Sequence, residues 1–149
     1  MGNIKILISC HKQSIVPDSE IMLPIEVGAD LRSKHIEGYI QDNSGDNISV
    51  KNKMYCELTA QYWAWKNLDA DYYGFFHYRR YLNFSENKYS LDSWQNITEE
   101  RLNDTCLKKY NLNDDCIRNL VETYDLVLSE EKNVAKMPDR NASVYEQYK

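Results

Sequence analysis

Three basic side chains close an aromatic stretch at residues 72–82, which reads Tyr-Tyr-Gly-Phe-Phe-His-Tyr-Arg-Arg-Tyr-Leu. A guanidinium group can bind two phosphate oxygens at once, so the adjacent Arg79 and Arg80 suit a diphosphate. The imidazole of His77 can donate a hydrogen bond or a proton to a phosphate oxygen. The stretch therefore predicts an anion site. The alternative, that the arginines are surface charges and His77 is a satisfied core residue, is equally compatible with the sequence.

A β-strand is expected to position these groups, because aromatic residues suit a pleated, half-buried surface. Alternation predicts two faces, one with Tyr73, Phe75, His77, Arg79 and Tyr81 and the other with Tyr72, Gly74, Phe76, Tyr78, Arg80 and Leu82. The apolar start of this strand is predicted to lie in the core. Ligands of open α/β sheets bind at the carboxyl ends of the strands, where the basic residues come.

Polar residues also follow an apolar run at residues 4–9, which predicts a buried, parallel strand. The loop after this strand holds Ser9, His11 and Lys12. In α/β folds the first such loop often meets a nucleotide. The glycine-rich fingerprint of a dinucleotide-binding fold is missing, so this is not an ordinary Rossmann turn.

A dense cluster of turn-forming residues occupies positions 42–47 and places Asp46, Asn47 and Ser49 in a loop. Turn chemistry together with a helix cap also accounts for this loop without any ligand. Before it, residues 21–27 are interpreted as an extended segment.

A helix is predicted at residues 54–66, with Asn52 as its N-cap. Apolar residues occur on both sides of this helix. One side carries Met54, Leu58, Tyr62 and Trp65, and the other carries Cys56, Ala60, Trp63 and Ala64. A helix that is apolar nearly all round is expected to be buried. Its one interior charge, Glu57, is then paired, at the rim, or directed into a pocket.

The remaining elements continue an α/β pattern. A helix start is predicted at Thr98, a helix capped by Asn113 at residues 113–123, a strand at residues 124–129 and the first turns of a helix at residues 143–149. Strands alternating with helices predict one α/β domain over residues 1–149.

Composition excludes several classes of protein. The net charge of −5 and the pI near 5.2 argue against general nucleic-acid binding, although a local basic pocket is allowed. The four cysteines lack metal-site spacing and are interpreted as free thiols in a reducing cytosol, with Cys10 and Cys56 in apolar segments. No signal peptide or membrane-spanning run is recognised, so a cytoplasmic location is expected.

Several blocks of the sequence together resemble a bacterial family of domains of unknown function. That family occurs in capsular, exopolysaccharide and lipopolysaccharide gene clusters and is grouped with GT-A-type glycosyltransferases. The resemblance extends over residues 4–82 and is carried by six blocks, residues 5–12, 23–28, 45–49, 55–59, 62–68 and 71–81. It implies a GT-A-like, Rossmann-related fold with a mostly parallel sheet flanked by helices. The family domain is longer, so the chain is expected to be incomplete at its C-terminus.

The resemblance also implies a nucleotide-sugar donor above the carboxyl ends of the strands. Many GT-A enzymes hold Mn²⁺ or Mg²⁺ on the donor diphosphate with an Asp-x-Asp pair just after a strand, since hard cations prefer carboxylate oxygens. Here the pair Asp69-Ala-Asp71 precedes the strand. Asp71 is therefore a metal-ligand candidate for which a helix-to-strand turn is the favoured interpretation. We expect the basic residues of the aromatic stretch to replace or supplement a metal in neutralising the diphosphate.

The expected roles follow from these placements. The donor-binding candidates are Ser9 and His11 for the nucleotide, Asp46, Asn47 and Ser49 for the base, ribose or sugar hydroxyls, and Arg79 and Arg80 for the diphosphate. The catalytic candidates are His77 and, as a base for an acceptor hydroxyl, Glu57.

The predicted function is transfer of a sugar, of hexosyl or galactofuranosyl type, from a nucleotide sugar to a cell-surface glycan or glycolipid. The enzyme would then work in the cytoplasm, where peripheral association with the inner face of the membrane is allowed. Two alternatives stay open. One is a non-catalytic module that binds a nucleotide sugar or a glycan, and the other is a plain α/β interaction domain.

Overall fold

A computed structural model describes residues 2–132 and contains one parallel sheet. Its four strands are β1 (Ile4–Cys10), β2 (Met22–Glu26), β3 (Ile40–Gln41) and β4 (Tyr72–His77). They lie in the order β3-β2-β1-β4 and all pairs are parallel. The predicted strand at residues 4–9 and the predicted extended segment at residues 21–27 are confirmed as β1 and β2.

Four α-helices are described, namely α1 (Asn52–Tyr55), α2 (Leu58–Asn67), α3 (Asp104–Lys109) and α4 (Asp114–Val121). The predicted cap of α4 is confirmed, because the Asn113 side chain accepts a hydrogen bond from the Cys116 amide at 3.0 Å. The helix start predicted at Thr98 is wrong. Helix α3 begins after Asn103, whose side chain caps it in the same way, because a capping side chain satisfies an amide that the helix leaves free.

Apolar side chains form a core on each face of the sheet. On one face, alternate residues of β1 and Phe76 of β4 pack with Leu112 and Ile117 from the α3–α4 region. On the other face, Leu7 of β1 and two residues of β2 pack against α2. A strand buried on both faces explains why β1 reads as a continuous apolar run.

The prediction of one buried helix at residues 54–66 is wrong in two respects. The helix is interrupted at Cys56, whose φ of 47° and ψ of −126° are not helical, and this cysteine is exposed rather than packed in an apolar segment. The large side chains of the predicted first face also lie outside, with Met54 80%, Leu58 51% and Trp65 69% exposed. The helix instead buries Thr59, Ala60, Trp63 and Ala64, because small residues let its backbone approach the sheet closely.

The aromatic stretch is a strand only as far as His77. Residues 78–80 form a tight turn in which the Arg80 amide donates to the His77 carbonyl at 2.8 Å. Phe76 is buried as predicted, but Tyr73 and Phe75 are 46% and 39% exposed because β4 is an edge strand. The prediction that the apolar start of this strand lies in the core is therefore confirmed for Phe76 and wrong for Tyr73 and Phe75.

Two further predictions concern the end of the chain. The strand predicted at residues 124–129 is wrong: these residues pair with no described strand, and Leu126 and Leu128 are 71% and 72% exposed. The helix predicted at residues 143–149 lies outside the described residues. Among the residues that are described, no helix has the length and apolar character needed to cross a membrane.

Candidate functional site

The carboxyl ends of β1 and β4 lie side by side, as the parallel arrangement requires. Ser9 of β1 is in register with His77 of β4, and the Tyr78 amide donates a hydrogen bond to the Ser9 carbonyl at 3.2 Å. The Ser9 side chain is buried, whereas His11, which follows β1, is exposed. The structure thus brings together three of the predicted site residues, Ser9, His11 and His77.

Glu57 faces His77 across this edge of the sheet. It lies between α1 and α2, and its Oε1 is 3.7 Å from the imidazole Nε2 of His77. The His77 side chain is 14% exposed and that of Glu57 is 46% exposed, so the pair sits at the border between core and solvent. The sequence left Glu57 paired, at the rim or in a pocket. In the structure its carboxylate is paired with His77 and lies at the rim.

The backbone determines which nitrogen of His77 carries the proton in the neutral ring. The Arg79 amide donates a hydrogen bond to Nδ1 of His77 at 3.2 Å. Nδ1 must therefore accept, and the proton of the neutral imidazole lies on Nε2, toward Glu57. A separation of 3.7 Å is longer than a direct hydrogen bond, so Nε2–H remains free to donate to an oxygen placed beside it.

Burial lowers the pKa of His77 below its ordinary value of 6.5. The Glu57 carboxylate opposes this shift, while Arg80, Arg79 and His11 lower the pKa further through charge repulsion. His77 is therefore mainly neutral at pH 7, the state in which it donates a hydrogen bond through Nε2 and does not repel the neighbouring cations.

The ring of Tyr78 gathers basic side chains from two loops. The His11 ring packs edge-on at 5.1 Å between centroids, Lys12 Nζ lies 5.7 Å from the ring centre, and Arg79 Cζ lies 5.2 Å from it. Cations at such distances are attracted to the negative face of an aromatic ring. Arg80 is exposed on the same turn. We call His11, Lys12, Tyr78, Arg79 and Arg80 the basic cluster.

Lys12 was placed in the loop after β1 by the sequence but was given no role in donor binding. Its contact with Tyr78 depends on the pairing of β1 with β4, which nothing in the local sequence specifies. The position of Lys12 two residues after an apolar strand was the one signal that could have identified it.

The predicted donor-binding loop does not join this cluster. Asp46 instead contacts α2, where its Oδ1 accepts from the Tyr62 hydroxyl at 3.1 Å and its carbonyl accepts from Asn67 at 2.8 Å. Asn67 ends α2 while Glu57 precedes its start, and ten helical residues span about 15 Å. Asp46 therefore lies near the end of α2 that is remote from His77.

Asn47 and Ser49 have structural partners as well. The Asn47 side chain donates to the Asn43 carbonyl at 2.9 Å and accepts from the Ser49 amide at 3.1 Å, which closes the turn. Ser49 is fully buried and its hydroxyl donates to Asp42. The alternative interpretation of this loop as turn chemistry accounts for all of these contacts.

Asp71 lies at the amino ends of the strands, away from the carboxyl ends where His77 lies. Its carboxylate accepts a hydrogen bond from the Asn3 amide at 2.7 Å, and the Asn3 side chain donates to the Asp69 carbonyl at 2.7 Å. Asn3 precedes β1 and Asp71 precedes β4, so both aspartates sit at the amino ends of the strands. Asp71 does not fit a metal that bridges phosphates at the carboxyl edge, and residues 2–132 contain no group of three or more His, Cys, Asp or Glu side chains arranged to hold a metal ion.

The sequence patterns did not identify two buried carboxylates, Glu26 and Asp42. Glu26 ends β2, is fully buried, and lies 3.3 Å from Arg32 Nε and 3.2 Å from His35 Nδ1. Asp42 follows β3, is equally buried, and accepts hydrogen bonds from the amides of Gly28 and Ala29 at 2.8 and 3.0 Å. An acid that directly follows an apolar extended run was the available signal for Glu26.

The parallel sheet with α2 on one face and α3–α4 on the other, and with polar residues at the carboxyl edge, defines an α/β domain whose ligand site is expected at that edge. The domain of unknown function DUF4422 matches residues 5–149, and the chain belongs to this family. The family match confirms the predicted resemblance, and the parallel sheet flanked by helices confirms the predicted α/β fold class.

A solved structure supports the same class. The apo structure of WbbM, a bifunctional glycosyltransferase, superposes with a TM-score of 0.77 at 44% sequence identity. The match covers 80% of this chain and 21% of that chain, so this chain spans about a fifth of the length of WbbM. A search of curated protein sequences gives no significant match.

Proposed function

We propose that this domain transfers a sugar from a nucleotide-sugar donor to a glycan acceptor of the cell surface, as in capsule, exopolysaccharide or lipopolysaccharide synthesis. The observation that carries the proposal is the basic cluster at the carboxyl ends of β1 and β4, in a chain whose net charge is −5. A glycosyltransferase-type fold supports the class of reaction.

The basic cluster would hold the diphosphate of the donor. As the bond between sugar and phosphate breaks, negative charge develops on the leaving diphosphate, and cations that are already in place stabilise it. Arg79 and Arg80 provide the guanidinium groups, and Lys12 adds a third positive charge. His77, neutral and protonated on Nε2, would donate a hydrogen bond to a phosphate oxygen at the same edge.

Glu57 is the candidate base of this site. A glycan hydroxyl that attacks the donor sugar must lose its proton, and a half-exposed carboxylate beside the diphosphate site can accept it. The 3.7 Å separation between Glu57 and His77 leaves both groups able to face a substrate placed between the loops.

Calorimetric titration of the 149-residue chain with UDP tests the donor site. Saturable binding is expected, and it should persist with EDTA because arginines rather than Asp71 neutralise the phosphates. The double variant Arg79→Ala/Arg80→Ala should lose at least about 100-fold in affinity, since each charged hydrogen bond is worth about 1.5–3 kcal/mol.

Arg101→Ala provides the matched control, because Arg101 is an exposed arginine in the loop before α3. It should leave UDP affinity unchanged. Unchanged affinity in the double variant would refute the assignment of the site, and strict dependence on Mn²⁺ would refute the role of the arginines. Binding of UDP-sugar without transfer to any glycan acceptor would favour a donor-binding module instead.

A further inference from the structure

We propose that a strained turn at Cys56, clamped by Asn52 and Thr59, positions the Glu57 carboxylate beside His77. This inference rests on the proposed function only for the catalytic roles of Glu57 and His77, since the positioning itself is independent of them. Asn52 begins α1, Cys56 follows α1 and Thr59 lies in the first turn of α2, and none of the three belongs to the basic cluster.

The backbone at Cys56 adopts a conformation that L-residues avoid. Its φ of 47° and ψ of −126° correspond to the first central position of a type II′ turn, where glycine is the usual residue. Glu57 follows with φ −65° and ψ −15°, close to the second central position of that turn. Non-glycine residues persist in such conformations only where their surroundings hold them, and they cluster at functional sites.

Three donors hold the Cys56 carbonyl oxygen in place. The side-chain amide of Asn52 donates at 2.7 Å, the Thr59 hydroxyl at 3.1 Å and the Thr59 backbone amide at 3.3 Å. Asn52 also donates to the Thr59 hydroxyl oxygen at 3.0 Å, so the two side chains support each other. The orientation of the peptide between Cys56 and Glu57 is therefore determined by side-chain hydrogen bonds.

The clamp is anchored to the sheet on two sides. Thr59 is fully buried in the face of α2 that packs on the sheet. Asn52 lies against Gly28, just after β2, where a Cβ added to the glycine would come within 2.9 Å of three Asn52 atoms. Neither clamping side chain can move without disturbing a neighbour, which makes the turn a fixed support for Glu57.

A continuous helix would not serve the same purpose. The turn at Cys56 ends α1 and restarts the chain as α2, whose first residue after Glu57 is Leu58. Glu57 thus occupies the position that precedes α2, at the carboxyl edge of the sheet, where its side chain reaches 3.7 Å from His77. The strain at Cys56 is retained because this position depends on the break in the helix.

The test uses the titration of the His77 ring, followed by NMR in the absence of nucleotide. The charged and titratable groups that face His77 are Glu57, Arg79, Arg80 and His11. Glu57→Gln removes the one group that raises the pKa of His77, so it should lower that pKa and define the full effect. Thr59→Val weakens the clamp at nearly constant volume, because it removes one of the three donors to the Cys56 carbonyl and the hydroxyl that supports Asn52, and it should shift the pKa in the same direction by a smaller amount. Thr59→Ser keeps the hydroxyl and should leave the pKa unchanged.

A double variant separates positioning from loss of structure. Glycine adopts the Cys56 conformation without a clamp, so Cys56→Gly combined with Thr59→Val should fold and recover the wild-type pKa of His77. A folded Thr59→Val protein with the wild-type pKa would overturn the proposal. A double variant whose pKa equals that of Glu57→Gln would overturn it as well. Failure of the wild-type chain to bind UDP would count against the proposed function alone, because the titration requires no nucleotide.

Discussion

His77 Nε2 and Glu57 Oε1 lie 3.7 Å apart although α2 separates them in the chain. The topology produces this proximity. Strand β4 follows α2 and runs parallel to β1, so α2 must return across the sheet and begin at the carboxyl edge where the strands end. A residue just before α2 and a residue at the end of β4 therefore meet at the edge where α/β folds bind ligands.

The first prediction concerns the pH dependence of stability. Burial lowers the pKa of His77 in the folded protein, so the unfolded chain binds a proton more readily there. The stability linked to His77 is fully present above pH 6.5, and it is lost as the pH falls through the lower folded pKa. His77→Asn should therefore reduce the loss in free energy of unfolding between about pH 7.5 and about pH 5. Urea unfolding at several pH values measures this, and equal slopes for the two proteins would contradict it.

The carboxyl edge could be predicted from the sequence because its signals are local. The apolar run of β1 and the aromatic run of β4 identify two strands, and in a parallel sheet the residues after them share an edge. His11 and His77 were placed correctly on this basis. Glu57 was noticed as the one charge in an apolar segment, and its pairing with His77 then follows from the position of α2.

Other features depend on tertiary contacts that the sequence does not specify. Both sides of α2 carry apolar residues, so periodicity alone cannot select the buried one, and the small residues Ala60 and Ala64 face the sheet. The turn that contains Asp46 was recognised, but the end of α2 against which it packs is determined by Asn67. Residues 124–129 have the composition of a strand and yet find no neighbour among the described strands.

The second prediction separates the Ser49 loop from the basic cluster. The buried Ser49 hydroxyl donates to Asp42 and accepts from the Asp30 amide at 3.1 Å. Ser49→Ala should lower the free energy of unfolding by about 1–2 kcal/mol, because it leaves the Asp30 amide without this acceptor and removes one donor to the buried Asp42 carboxylate. UDP affinity should stay within about twofold of the wild type.

The matched control for Ser49 is Ser90→Ala, which removes an exposed hydroxyl and should change neither quantity. Chemical denaturation and calorimetry measure the two effects separately. A large loss of UDP affinity in a folded Ser49→Ala protein would return this loop to the donor site.

The third prediction concerns thiol reactivity. Burial raises the pKa of Cys10 to about 11, whereas Cys56 is exposed. Since the thiolate is the reactive form, and only about a thousandth of a thiol with that pKa is ionised at pH 8, Cys10 should resist Ellman's reagent until the chain unfolds. Cys56→Ser should remove a reactive thiol from the folded protein, while Cys10→Ser should not change the labelling before urea is added. Labelling of Cys10 in the folded state would disprove the burial on which the prediction depends.

The fourth prediction concerns the buried carboxylate of Glu26. Arg32 Nε at 3.3 Å and His35 Nδ1 at 3.2 Å face its two oxygens, and the Ile36 amide donates to one of them at 3.1 Å. Removing Arg32 leaves a buried negative charge with less compensation, and breaking a buried ion pair costs about 3–5 kcal/mol. Because the Arg32 side chain is itself 33% exposed, and because His35 and Ile36 still contact Glu26, Arg32→Ala should lower the free energy of unfolding by about 1–2 kcal/mol.

The charge of Glu26 can be tested apart from its shape. Glu26→Gln keeps the size of the side chain and removes the buried charge. In the Glu26→Gln background, Arg32→Ala should therefore lower the free energy of unfolding by less than it does in the wild type. The double variant Glu26→Gln/Arg32→Ala should therefore be more stable than the sum of the two single effects predicts, as measured in a double-mutant cycle by urea unfolding. Additive effects would contradict the prediction. Removing Arg32 would then cost the same whether position 26 is charged or neutral, so Arg32 would stabilise the loop after β2 through packing.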